Sequence, residues 1–112
     1  MLLRSNPNFS VGEESRIEIY MGNVEEMFIR SHMEKLRIWR PTAAEAADAV
    51  GKFQLGGDVK SLFLISSDDF FGFVVSGRPA WREAVRDLED SSLFDFDQEW
   101  PPGPEVQWGN VD

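Results

Sequence analysis

The chain has 112 residues, 42% of them hydrophobic, which is enough for an ordinary core without covalent staples. It contains no cysteine, which excludes disulfide scaffolds, thiol nucleophiles and thiolate metal sites, and its single histidine, His32, excludes a metal centre built from several imidazoles. The formal net charge is −9, from 20 acidic and 11 basic residues, so partners that are themselves acidic are disfavoured.

No apolar run approaches the roughly 18 residues that a membrane-crossing helix needs. The opening Met-Leu-Leu-Arg-Ser-Asn-Pro lacks the apolar stretch of a signal peptide. The expectation is one cytoplasmic domain over residues 1–112, with residues 1–14 loosely held. In chain order, the first regular element is a strand from Arg16 to Met21, whose alternation places Ile17, Ile19 and Met21 on one face. Residues 23–40 admit two readings. Asn23 and Glu26 suit the start of a helix carrying Val24, Met27 and Phe28, whereas Gly22-Asn23 is a hairpin signal that continues into a strand through Met27 and Ile29. The hairpin is preferred, followed by a strand over Leu36 to Trp39 that Pro41 ends.

A helix is predicted over 42–55. Thr42 and Glu45 have the spacing of a capping box, Ala46, Ala49, Val50 and Phe53 share a face, and Gly56-Gly57 supplies the stop. Two apolar runs, 59–66 and 70–76, are separated by Ser66-Ser67-Asp68-Asp69 and read as an antiparallel hairpin. A second helix is predicted over 79–90, with Pro79 at its first position and Trp81, Ala84, Val85 and Leu88 at helical spacing. Val106 to Trp108 suits an edge strand. The predicted class is α+β: a mostly antiparallel sheet packed by two helices.

Catalytic constellations are incomplete. No serine lies in a Gly-x-Ser-x-Gly elbow, and His32 has no evident orienting partner. Asp95 and Asp97 would point the same way on a strand, but Asp-x-Asp alone lacks the remainder of a calcium loop. Gly51-Lys52 lacks the other elements of a phosphate loop. Arg30, Lys35, Arg37 and Arg40, with Trp39 and His32, would suit a single-stranded nucleic acid by charge and stacking, yet they read more simply as a solvated face balancing the chain's acids. No enzyme activity, cofactor, metal or nucleic-acid partner is therefore predicted.

The charge is unevenly placed. Residues 87–112 hold eight acids and no lysine or arginine, a net −8, which leaves −1 for residues 1–86. Acids and aromatics interleave in the C-terminal segment 91–112, which includes Phe94, Phe96, Trp100 and Trp108, with Pro101, Pro102 and Pro104 stiffening its middle. A solvating tail would be poor in aromatics. In size, in the absence of cysteine and in this acidic aromatic segment, the chain resembles the small acidic immunity proteins that bacteria pair with secreted toxins. The resemblance implies a stoichiometric inhibitor that covers the active site of a basic toxin, a nuclease for example. The residues that would carry it are Asp95, Asp97, Glu99 and Trp100, with Glu89 and Asp90 as rim charges. The alternative is an adaptor or assembly subunit that docks through Trp100 and Trp108.

Overall fold

A computed structural model describes residues 1–5, 15–31, 33, 35–56, 59–86, 89–95, 101 and 103–112. Among these are eight strands and one α-helix, with every strand pairing antiparallel, so the α+β class holds. The chain falls into two compact units: unit 1 comprises Met1–Met21 and Pro79–Asn110, and unit 2 comprises Gly22–Arg78 with Val111–Asp112. Unit 2 is thus threaded into the sequence of unit 1.

Unit 1 is a four-stranded sheet in the order β1 (Leu2–Ser5), β2 (Ser15–Tyr20), β7 (Ala80–Val85), β8 (Gln107–Asn110). Part of the N-terminal stretch is thereby paired, Leu2 opposite Tyr20 and Ser5 opposite Ile17, while residues 6–14 lie outside the described residues. Segment 80–85 is a strand and not the predicted helix. Ala80 to Val85 pairs residue by residue with Tyr20 to Ser15 on one side, and Ala80 to Glu83 pairs with Asn110 to Gln107 on the other. The apolar spacing that suggests a helix is also compatible with a strand interior, and pairing with two neighbours outweighs local propensity. Pro79 fits just before the first paired residue, where the ladder asks for no amide. Gly109 lies opposite Trp81, and a Cβ there would meet the indole at 2.9–3.0 Å, so the ring lies across the glycine.

Unit 2 is a second sheet in the order β3 (Glu26–Phe28), β6 (Phe70–Val75), β5 (Leu62–Ser67), β4 (Arg37–Trp39), with α1 (Ala43–Phe53) packed on it. The strand expected through Met27 and Ile29 is present at Glu26–Phe28, short of Ile29, but Gly22-Asn23 closes no hairpin, because β2 and β3 belong to different sheets. Asn23 takes a left-handed conformation (φ 52°) there, as asparagine tolerates. The β5–β6 hairpin is present as predicted, but it turns at Asp68-Asp69 only, with Ser66 and Ser67 paired in β5. In α1 the capping box is complete: Glu45 N–H donates to Thr42 Oγ1 at 3.2 Å, and Thr42 N–H donates to Glu45 Oε1 at 3.0 Å. The helix stops at Gln54 (φ 55°), ahead of the glycines, with Leu55 N–H closing on Val50 O at 3.1 Å. Ala46 and Ala49 let α1 approach Leu62, Leu64 and Phe73, and Trp39, Phe53, Leu55 and Val75 complete this core.

Candidate protein-binding surface

The alternation of β2 is real, but its burial runs opposite to its hydropathy. Arg16 and Glu18 are fully buried, while Ile17 is 39% exposed. Two buried charges side by side are costly unless they are given hydrogen-bond partners, and residues 90–93 supply partners to both. Arg16 Nη1 donates to the carbonyls of Asp90 (2.9 Å) and Ser91 (3.1 Å). Glu18 accepts from Ser92 Oγ at 2.6 Å and from Leu93 N–H at 2.7 Å. Arg4 lies opposite Glu18 on β1, with Nη2 at 3.4 Å from its Oε1, and Arg82 lies opposite on β7.

Arg82 completes the clamp by donating to the carbonyl of Leu93. Burial pulls its guanidinium below the ordinary value, with the Glu18 carboxylate acting in the opposite sense. Its face also carries the Phe94 ring, 4.2 Å away, which meets Tyr20 at 5.7 Å. Leu93 is buried, and a short turn follows, with Asp95 N–H bonded to Ser92 O at 3.2 Å and Phe94 N–H to Ser92 Oγ at 3.2 Å.

These residues lie in the connection between β7 and β8, which covers 86–106. None of the described residues of this connection lies in a helix or a strand. The described part of this one is held at its backbone by Arg16, Glu18 and Arg82. Glu89, Asp90 and Asp95 are exposed. Trp108, 46% exposed, stands opposite Arg82 on β8 and so shares the sheet face that carries the clamp. Four of the predicted residues (Glu89, Asp90, Asp95 and Trp108) are thus gathered on one unit. Asp97, Glu99 and Trp100 lie outside the described residues, as does His32. Asp95 sits in a turn, not in the strand that would have aligned it with Asp97.

The residues that sequence reasoning missed are Arg16, Glu18, Arg82 and Ser92. A charged pair two apart on an alternating strand reads as a solvated face, and nothing local indicates that this face is the covered one. The basic group of residues 30–40 serves unit 2. Arg30 pairs with Asp69 at 3.1 Å and Lys35 lies 3.9 Å from Asp68, both at the β5–β6 turn. Among the described residues no group of three or more His, Cys, Asp or Glu side chains is placed to hold a metal ion. No protein-family model, curated protein or solved structure matches the chain.

Proposed function

We propose that the chain is a non-enzymatic binding protein that presents an ordered acidic surface to a basic protein partner, in the manner of an immunity protein covering a toxin's active site. The observation that carries this reading is the clamp of Arg16, Glu18 and Arg82 on the backbone of residues 90–93. A segment that served only solubility would gain nothing from a fixed path. Fixing it lowers the ordering cost of binding, and its field accelerates capture of a cationic partner. Unit 1 concentrates that field, with eleven acidic against four basic residues.

The test is association kinetics with a basic partner isolated on this chain from its native lysate. Asp95→Asn with Asp97→Asn is expected to slow association at least tenfold at low salt. The difference should shrink at about 0.5 M salt, where the Debye length is a few ångström. Unchanged kinetics in the double variant would refute the acidic surface. An adaptor that docks through its aromatics is the second reading, favoured by the exposure of Trp108. It predicts that Trp108→Ala abolishes binding while salt and the Asp95/Asp97 changes leave it intact.

A further inference from the structure

Unit 2 carries an aromatic strip that the acidic surface does not use. Five rings follow one another: Phe70 meets Phe28 edge-on at 5.2 Å, Phe28 meets Phe53 at 5.8 Å, Phe53 lies nearly parallel to Phe71 at 6.1 Å, and Phe71 meets Trp39 at 6.3 Å. Each end and the middle carry a cation. Arg30 sits 4.9 Å from the Phe70 ring centre, Lys52 lies 5.0 Å from that of Phe71, and Arg37 lies 4.7 Å from that of Trp39. The helix ends at Phe53, and Phe28 and Phe71 are exposed.

We infer that this strip is a docking site for the acidic, proline-rich segment 95–105 of a second copy of the chain. Aromatics and arginine together have the composition of an interface core, and aromatic-lined surfaces suit extended proline-rich peptides. The charge selects among such peptides. Asp69 matches Arg30, and unit 2 as a whole has nine acidic against seven basic residues, so a polyphosphate backbone meets too little positive charge. A peptide with a few carboxylates set between apolar residues meets the right amount. Residues 95–105 read Asp-Phe-Asp-Gln-Glu-Trp-Pro-Pro-Gly-Pro-Glu, and Asp95, Pro101, Pro104 and Glu105 are exposed. Such a contact joins different surfaces of the two copies, so it is heterologous. Asp95 belongs to both surfaces, and a basic partner would compete with self-association.

Sedimentation velocity on the full chain from about 5 to 500 μM tests this, since a Kd near 10⁻⁴ M falls in that range. The expected result is a mass that rises with concentration at low salt and falls back towards the monomer at about 0.5 M salt. Lys52→Glu, at an exposed position in the last turn of α1, is expected to stay monomeric with an unchanged circular dichroism spectrum. A variant with Asp95→Asn, Asp97→Asn, Glu99→Gln and Glu105→Gln should also be monomeric. Mixing the two should restore a one-to-one dimer, because one retains the strip and the other the segment. A wild-type chain that is monomeric throughout, association that survives Lys52→Glu, or a mixture that stays monomeric would each overturn the inference. So would binding of oligothymidylate that Lys52→Glu abolishes, which would assign the strip to single-stranded nucleic acid. Failure here is separable from failure of the acidic-surface reading, because Lys52 lies on unit 2 and Glu89 and Asp90 lie on unit 1.

Discussion

Replacing Glu18 by Gln probes the clamp with almost no change of volume. The carboxylate is fully buried, accepts two short hydrogen bonds from Ser92 and Leu93, and lies between Arg4 and Arg82. A glutamine oxygen keeps one of the two bonds as a neutral one. Its amide nitrogen turns a donor towards the other, which leaves a buried donor unmet. Bonds to a charged acceptor contribute about 1.5–3 kcal/mol each, and removing one member of a buried ion pair costs about 3–5 kcal/mol. A loss of about 3 kcal/mol is therefore expected, a large share of the roughly 5–15 kcal/mol that holds a domain together. Urea unfolding gives the total. Amide hydrogen exchange locates it, with Leu93 and Phe94 losing protection before Ile17 or Trp81. A cost below about 1 kcal/mol with Leu93 still protected would show that the segment is held by something other than this carboxylate.

Other outcomes follow from the same geometry. Thr42→Ala removes the side-chain half of the capping box and should cost about 1 kcal/mol, read from denaturant midpoints. The hydrogen bond from the Thr42 backbone, aided by the Thr42 and Trp39 side chains and by Arg37, holds the Glu45 carboxyl below its ordinary value of 4.5. A depressed folded-state value means that the stabilisation is present above pH 4.5 and is lost as pH falls through the folded value. The melting difference between wild type and Glu45→Gln should thus close on acidification, and a pH-independent gap would contradict this. Gly72→Ala would set a methyl group on the Phe28 carbonyl and against the Phe70 ring at 2.8–2.9 Å. The expected cost is about 2–3 kcal/mol, with loss of protection at β3, measured by hydrogen exchange. Leu64→Ala, in the core beneath α1, should cost about 3 kcal/mol in urea.

Unit 2 was largely legible because its signals are local. The Thr42–Glu45 box, the apolar face of α1 and the polar turn of the β5–β6 hairpin each lie within a few residues, and the structure has the box and the helix face where the spacing places them and the turn two residues shorter. Unit 1 was legible only in β2 and in the edge strand β8, because its sheet is brought together from distant parts of the chain. Segment 80–85 carries a helical spacing that only pairing with Ser15–Tyr20 and Gln107–Asn110 overrules. The candidate surface was half legible for the same reason. Its carboxylates are visible in composition, whereas Arg16 and Glu18, which hold the segment with Arg82, are 74–75 positions from the groups they bind.

The placement of those holding residues bears on why charge is buried at all. An apolar face on β2 would pack residues 90–93 by side-chain burial alone, which specifies depth but leaves position along the strands weakly defined. Arg16, Glu18 and Arg82 instead engage individual backbone groups: two carbonyls, one amide and the Leu93 carbonyl. Ser92 Oγ also donates to Glu18, and a slip of one residue would carry this hydroxyl away from the buried carboxylate. The clamp therefore selects one position at some cost in stability. The quantity it fixes is the location of Glu89, Asp90 and Asp95, which a binding surface requires and a solubility tail does not.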